Sequence, residues 1–331
     1  MVGALVMGWM VEAALSSEGF DPLAPRPSDG AGPVSPLMGV VVASGDPDRF
    51  ARLLSQGLGL QAMPGAPGQG MAFVRPGVEP PAMVYLEAAP PEAPARRPGY
   101  DAAIAGPLAA GFAVADASRI VTHLEGLGVR TTAGVVEMTL PDGQGGTYRV
   151  REAHVEAPDG VLFLGIDRGT MTPVSPIDSA TGVGGPAYAS AVVTDRAWAG
   201  RVLTDVLGYE RRRAFAFRSS GLAGGLNLPE GTPVTLEQWF APGARTGYLV
   251  LLDVGAAMRP GPAAVAMRGI QGWLFTTDRL DAALDRARAL GLAPPAPRRV
   301  RRPGVGCVRE APLPVPGLAT LILMERAQGC P

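Results

Sequence analysis

The 331-residue chain contains no lysine, so all 29 of its basic residues are arginine. A Schiff base and a phosphate-binding P-loop both require a lysine amine, and the sequence therefore excludes both. Only two cysteines, Cys307 and Cys330, and two histidines, His123 and His154, are present. Two cysteines are too few for a disulfide framework or a cysteine-based zinc site.

The chain also lacks an excess of either charge, with 29 basic against 30 acidic residues. A nucleic-acid partner is therefore not expected, because such proteins need a basic surface. No apolar run reaches the ~18 residues of a membrane span, which argues against a membrane partner. Residues 1–15 are apolar but contain Glu12 and lack a basic start, which favours a short packing helix over a signal peptide. We expect a cytoplasmic protein, and the wealth of arginine, alanine and glycine indicates a GC-rich bacterial genome.

Four segments of the chain repeat one pattern: an apolar strand, an aspartate, a helix and then Leu-Gly. The aspartates are Asp46, Asp116, Asp195 and Asp278, and the glycines are Gly59, Gly128, Gly208 and Gly291. Each aspartate is predicted to cap the N-terminus of its helix by accepting hydrogen bonds from free backbone N–H groups. Each glycine stands where a helix ends in a left-handed residue.

Strand-like runs follow each helix, so each repeat predicts a β-α-β-β-β unit. Such a unit exposes one apolar sheet face and needs a partner. We therefore expect an α+β fold of four units paired into two curved-sheet domains. The expected division is an N-terminal extension 1–35, a first paired domain 36–170, a linker 171–185 and a second paired domain 186–327.

The repeated strand–Asp–helix–Leu-Gly run, together with the strand-loop sequence APDGVLFLGI at 157–166, resembles the vicinal oxygen chelate superfamily. That superfamily includes the glyoxalases, bleomycin-resistance proteins and extradiol dioxygenases, and the resemblance covers residues 36–326. It implies a metal ligand, usually histidine, seven residues before each helix aspartate, and a glutamate on the last strand of a unit. These positions hold Gly39, Ala109, Tyr188 and Gln271 for the first ligand, and Leu164 and Leu321 for the glutamate. We therefore expect neither a tightly bound transition metal nor another cofactor.

If the superfamily geometry holds, strand alternation points these first-strand positions into the cup of each sheet. In the third unit they are Tyr188, Ser190 and Val192, and in the fourth Gln271, Trp273 and Phe275. An apolar wall with a few polar groups suits a small molecule. The ligand-binding residues are accordingly expected in the C-terminal half, at Tyr188, Gln271 and Trp273, with Trp239 nearby. Two alternatives stay open: Trp273 and Phe275 simply fill the core, or the first-half cup is the open one, with Glu87, Tyr148 and His154.

Acid–base chemistry has three candidate residues, Glu237, His154 and Tyr188. Alternation places Glu152 and His154 on one strand face, where they could form an acid–base pair, although a solvated face or a satisfied histidine is the favoured interpretation. Glu237 shares a face with Trp239, opposite Gln238.

Two function classes remain. One is a metal-independent, bleomycin-resistance-like protein that sequesters a small apolar or aromatic metabolite. The other is a metal-independent isomerase or lyase that uses these acid–base residues on a carbonyl substrate. A degenerate structural or partner-binding protein is a third class. The expected partners are the small molecule and a second copy of the chain in a homodimer.

Overall fold

The computed structural model describes residues 32–65, 70–77, 82–142, 146–218, 220–261 and 267–330. The helix expected in residues 1–15 lies outside these ranges. Among the helices that fall within them, none combines the length and the apolar character needed to cross a membrane.

The first two repeats form the predicted β-α-β-β-β units. Unit one contains β1 (Gly39–Ser44), α1 (Pro47–Arg52), β2 (Gln61–Met63), β3 (Met71–Val74) and β4 (Met83–Ala88), with one π-helical turn (Leu53–Gly57) continuing α1. Unit two contains β5 (Gly106–Val114), α2 (Ala117–Gly126), β6 (Thr131–Pro141), β7 (Thr147–Ala157) and β8 (Val161–Asp167).

The last two repeats follow the same plan with one addition. Unit three contains β9 (Val183–Val192), α3 (Arg196–Asp205), β10 (Glu210–Phe217), an inserted short helix α4 (Ser220–Gly225), β11 (Val234–Phe240) and β12 (Tyr248–Asp253). Unit four contains β13 (Gly269–Thr276), α5 (Leu280–Ala289), β14 (Arg298–Arg302), β15 (Gly306–Pro314) and β16 (Thr320–Arg326). The sequence did not predict α4, because its Gly-rich segment has weak helix propensity.

The predicted helix ends are confirmed at seven of the eight positions. Asp46, Asp116 and Asp195 each cap a helix by accepting backbone N–H groups. The four Leu-Gly glycines all adopt positive φ, between 64° and 80°. The exception is Asp278, because α5 begins one residue later and Arg279 occupies its N-cap without a side-chain hydrogen bond.

The sixteen strands form two eight-stranded sheets, each made from two units. The first sheet has the order β14-β15-β16-β13-β1-β4-β3-β2, and the second sheet has the order β10-β11-β12-β9-β5-β8-β7-β6. At the middle of each sheet the first strands of two units run antiparallel, β1 beside β13 and β5 beside β9. The predicted α+β class with paired units is therefore confirmed.

The expected partners of the units need correction. Units one and four share the first sheet and units two and three share the second, so neither sheet coincides with 36–170 or 186–327. The proposed linker 171–185 runs into β9, which begins at Val183. The physical reason is that the four units have equivalent first-strand edges. No local feature of a unit's sequence specifies which other unit pairs with that edge.

One continuous core lies between the two sheets. It joins the helix-facing sides of both sheets to α1, α2, α3 and α5. Phe50 of α1, in unit one, packs edge-on against Phe163 of β8, in unit two, with ring centroids 5.9 Å apart. Trp273 and Phe275 belong to this core and are fully buried.

The two cysteines form a single disulfide that joins β15 to the C-terminal segment. Cys307 lies in β15, Cys330 follows β16, and their Cα atoms are 5.5 Å apart. One bridge is compatible with the expectation that no disulfide framework exists.

Asp195 caps α3 and Asp278 does not cap α5, so the two aspartates form a matched pair for a stability prediction. Asp195→Ala removes a side chain that accepts a 2.8 Å hydrogen bond from the Trp198 backbone N–H, and we expect it to lower the free energy of unfolding by about 0.5–2 kcal/mol. Asp278→Ala is the control, because Asp278 does not cap α5, and its expected change is within about 0.5 kcal/mol. Urea unfolding of both variants measures the difference. Equal losses would contradict the assignment of the caps.

The core position of Trp273 generates a second prediction. Trp273→Ala leaves a large cavity between the first sheet and the helices, and the expected loss is about 3–5 kcal/mol of unfolding free energy. Leu127→Ala is the control, since Leu127 is 45% exposed and its loss is expected to stay within about 0.5 kcal/mol. If the Trp273→Ala protein is as stable as the control, Trp273 does not contribute to the core and its assignment is wrong.

Candidate functional site

Each sheet curves around a cup on the side away from the helices. The cup of the first sheet is called here the methionine cup, after Met38, Met83 and Met324 in its wall. The cup of the second sheet is called the tyrosine cup, after Tyr148, Tyr188 and Tyr248. Since each sheet takes one unit from each half of the chain, both halves contribute to both cups.

The apolar part of the methionine cup is filled by its own side chains, and a cleft of about 520 Å³ lies beside it. Its methionines pack with Val41, Tyr85, Leu274 and other apolar residues, all of them buried. At its edge, the Arg302 guanidinium lies over the Tyr85 ring, 4.6 Å from the centroid. Arg302 Nε and Nη2 donate to the Glu310 carboxylate at 2.7 and 3.0 Å, and Nη1 donates to Glu87 at 3.3 Å. This edge is an internally paired ion cluster beside an open, polar cleft.

The tyrosine cup encloses a chamber with an apolar wall. The cavity itself amounts to about 70 Å³, within about 690 Å³ of space between the walls that includes open solvent. Carbon side chains from both units make most of the wall, and they include Leu108, Met138, Leu140, Val150, Leu164, Ile166, Phe217, Leu236, Val250 and Leu252. A wall of this composition suits a small organic molecule.

Helix α4 and Arg213 close this chamber. Leu222 and Leu226, within and just after α4, form part of the wall. Arg213 projects from β10, at one edge of the second sheet, and donates to the Tyr148 hydroxyl at 2.5 Å and to the Pro141 carbonyl, at the other edge. Its Nη1 also donates to Gln238 Oε1 at 3.1 Å. The two edge strands are thereby tied together across the open side of the sheet.

An aromatic column crosses the floor of the tyrosine cup. The rings of Tyr188 and Tyr248 stack with centroids 5.0 Å apart, and Phe240 stacks on Tyr248 at 4.7 Å. The Tyr188 ring lies across Gly111 of β5, where a Cβ atom would overlap it. Burial raises the pKa of Tyr188 well above its ordinary value, and the nearby Glu152 and Tyr248 raise it further. Tyr188 therefore stays protonated and can donate a hydrogen bond.

Glu152 and His154 form a buried pair at the wall. His154 Nδ1 lies 2.8 Å from the Gly225 carbonyl, which can only accept, so Nδ1 carries a proton. His154 Nε2 lies 3.2 Å from Glu152 Oε2. A proton on either of these two atoms would join them by a hydrogen bond. Glu152 lines the chamber, and its other oxygen has no partner in the described part of the chain.

Of the residues predicted to bind or react, Tyr188 and His154 come together in the tyrosine cup, while Glu237 and Trp239 do not. Both side chains point toward α3. Glu237 accepts from Arg211 at 3.1 Å, from Arg196 at 3.4 Å and from the Trp239 indole at 3.1 Å. The opposite face of β11, which carries Gln238, lines the cup. Alternation was predicted correctly, but the wrong face of β11 was assigned to the cup.

Gln271 and Trp273 also lie outside the tyrosine cup, because they belong to the first sheet. The register between β1 and β13 shifts at Gln271, whose amide bonds to Arg96 at 3.2 Å and to the Met267 carbonyl at 2.8 Å. Counting from the true N-cap, Arg279, places Gly272 at the ligand position, which leaves Trp273 and Leu321 on the helix-facing side. The alternative in which Trp273 fills the core is therefore the one observed.

Several residues of the cup were missed by the sequence reasoning. Tyr248 lies beside Tyr188 because β12 pairs in parallel with β9, a register that the sequence does not specify. Leu222 and Leu226 come from the unpredicted helix α4. The strand containing Tyr248 was identifiable, but its neighbour was not.

The donor set of the tyrosine cup does not fit the metal site that the superfamily resemblance implies. Ala109, Leu164 and Tyr188 occupy three of the implied ligand positions, and Val250 adjoins Ser190 in the same wall. Hydrocarbon side chains and a protonated phenol are poor ligands for a divalent cation. Within the described ranges, no three His, Cys, Asp or Glu side chains are grouped so that they could hold a metal ion.

Comparison with known proteins supports the architecture. No protein-family model matches the sequence, and neither does any curated protein. The structure is similar to glyoxalase I from Zea mays, with a TM-score of 0.60 and 15% identity, over 88% of this chain and 92% of that one. It is also similar to a protein named putative dioxygenase from Bacillus subtilis, with a TM-score of 0.53 and 12% identity, over 90% and 87% of the two chains. Together with the two sheets of paired β-α-β-β-β units, these likenesses identify the vicinal oxygen chelate fold in this chain.

Proposed function

We propose that the tyrosine cup binds a small apolar or aromatic organic metabolite, and that the protein acts by sequestration, as resistance proteins do. One observation carries this proposal: the second sheet closes around an apolar chamber that has a few polar groups in its wall. Binding sites for small molecules have this composition, in which carbon surface supplies affinity and a few polar groups supply orientation.

The wall chemistry supports binding without the metal usual for the fold. The two similar structures are a glyoxalase and a protein named putative dioxygenase, but identities of 15% and 12% do not transfer their activities to this chain. The implied ligand positions in the tyrosine cup hold carbon side chains and Tyr188. The prediction that no transition metal binds tightly therefore stands, with elemental analysis of the dialysed protein as its test.

The location of the protein and its partners stay predictions. A bacterial source, the cytoplasm and a homodimer are what we expect from the sequence. The Cys307–Cys330 disulfide bears on the location, because disulfides persist mainly in oxidising compartments. A cytoplasmic protein would be expected to carry these two residues as thiols.

Filling the chamber tests the binding proposal. Leu164→Phe adds volume to the wall of the tyrosine cup, and we expect it to weaken binding of the neutral fluorescent probe N-phenyl-1-naphthylamine by at least about tenfold. Ile322→Phe is the matched control, because Ile322 is equally buried, at 6%, but lies in the methionine cup. Both substitutions overpack a wall at a similar cost of about 1–3 kcal/mol, so fluorescence titration separates occupancy from stability.

Equal binding by the two variants would show that the probe does not occupy the tyrosine cup. Absence of binding to the unmodified protein would remove the support for sequestration of apolar molecules. Circular dichroism of each variant, taken at the temperature of the titration, checks that the fold is retained.

A second function has its own support in the Glu152–His154 pair. A carboxylate that lines an apolar chamber and lies 3.2 Å from a buried imidazole can remove a proton from carbon beside a carbonyl group. Tyr188, held protonated, can donate a hydrogen bond to the resulting enolate oxygen. This arrangement suits a metal-independent isomerase or lyase.

Hydrogen–deuterium exchange distinguishes the two functions. With 2-tetralone in D₂O, an acid–base site would speed the exchange at the carbon beside the carbonyl, and Glu152→Gln would slow it by about 100-fold or more. Glu137→Gln is the control, because Glu137 is exposed on β6, and its expected rate is unchanged. Exchange in the unmodified protein no faster than in buffer would reject the enzyme function and leave sequestration in place.

A further inference from the structure

We propose that the tyrosine cup selects uncharged aromatic molecules that carry two separate oxygen groups, a carbonyl held by Ser190 and a hydroxyl held between Glu152 and Tyr188. This inference rests on the proposed binding function and specifies its ligand class. It follows from one buried hydroxyl that has no partner among the described residues, that of Ser190, and from two further polar groups in the chamber wall, Glu152 and Tyr188.

Ser190 is the first of these groups. Its side chain is 1% exposed, its hydroxyl lies in the chamber wall, and it has no hydrogen-bond partner among the described residues. The residues paired with it on the neighbouring strands are Val250 and Ala109, which cannot bond to a hydroxyl through their side chains. A buried O–H without an acceptor is destabilising, so its presence indicates an acceptor supplied from outside the chain. A carbonyl oxygen is such an acceptor.

Glu152 and Tyr188 are the second and third polar groups of the chamber wall. Glu152 Oε2 contacts His154 Nε2, and Oε1 is left as an acceptor in the chamber. Tyr188 has no described hydrogen-bond partner, and it lies close enough to Glu152 for that carboxyl to affect its ionisation. A ligand hydroxyl can donate to one and accept from the other, because one hydroxyl has both capacities. A ligand with only ether or carbonyl oxygens would leave Glu152 unsatisfied.

Charges of both signs lie around the chamber, so an ionic ligand of either sign would meet a like charge as well as an opposite one. An anionic ligand group beside Glu152 would meet a like charge in an apolar setting. A cationic ligand would meet Arg168 and Arg213, whose guanidinium groups lie 5.8 and 5.1 Å from the centre of the Tyr148 ring. Ring stacking against the column of Tyr188, Tyr248 and Phe240 favours a flat aromatic framework.

Three naphthalene probes test this selectivity in the full-length protein. The compound 6-acetyl-2-naphthol carries the carbonyl and the hydroxyl at opposite ends, 2-acetylnaphthalene lacks the hydroxyl, and 2-naphthol lacks the carbonyl. By isothermal titration calorimetry we expect 6-acetyl-2-naphthol to bind at least about tenfold more tightly than either of the others.

Two variants assign the preference to its residues. Ser190→Ala is expected to reduce the affinity for 6-acetyl-2-naphthol to that for 2-naphthol without lowering the Tm of the free protein, because the lost hydroxyl had no partner. Glu152→Met is expected to abolish the preference for the hydroxylated probe over 2-acetylnaphthalene.

Ser175→Ala is the matched control. Ser175 is also buried, but its hydroxyl donates to the Gly185 carbonyl at 3.0 Å and does not line the tyrosine cup. This variant is expected to lower the Tm and to leave the probe selectivity unchanged.

The outcomes separate this inference from the function on which it rests. If all three naphthalenes bind the unmodified protein with equal affinity, the inferred ligand class is wrong and the apolar cup remains. If none binds, the binding function fails as well. A Ser190→Ala protein that loses stability as Ser175→Ala does would show that Ser190 has a structural partner, which overturns its assignment to the ligand.

Discussion

Each cup depends on the antiparallel pairing of two first strands at the middle of a sheet. In the second sheet this pairing places β5 against β9, with Gly111 opposite Tyr188. Because Gly111 lacks a side chain, the Tyr188 ring can lie across the strand instead of standing upright into the chamber. The position of Tyr188 near Glu152, the aromatic column and the open space above it all follow from this one contact.

The two cups show how one fold produces different interiors. Both are shaped by the same strand order, and in both an arginine from the second strand of a unit stacks on a tyrosine ring, Arg302 on Tyr85 and Arg213 on Tyr148. The two cups differ in the side chains that line them. Flexible methionines fill the first cup, since their unbranched chains adapt to irregular gaps. Rigid, mutually stacked rings occupy the floor of the second and leave the space above them open.

Because the tyrosine cup is covered, the hydrogen bonds of its polar groups matter more for stability and binding than they would in water. Arg213 ties the edge strands together, and α4 covers the opening between them, with its Gly225 carbonyl held by His154. In such a setting, hydrogen bonds are strengthened and unmet ones are more costly than they would be in water. The same helix that shields the chamber also bonds to His154 Nδ1, while His154 Nε2 contacts Glu152. Helix α4, which covers the chamber, is therefore hydrogen-bonded directly to the Glu152–His154 pair.

The sequence by itself determined the units and their local geometry. Aspartates and glycines at fixed spacing predicted the helix ends, and apolar alternation predicted the strands, because both signals act over a few residues. The tertiary structure decided what the units do together. Identical first-strand edges left open which units pair, so Tyr188 and His154, from different halves of the chain, could not be assigned to one cup. A shift of one residue at the start of α5 moved Trp273 from the cup to the core, because strand side chains alternate and one step reverses the face. Tyr248, Gln238 and α4 became part of the site only when long-range strand pairing and edge closure brought them there, and neither leaves a local signature in the sequence.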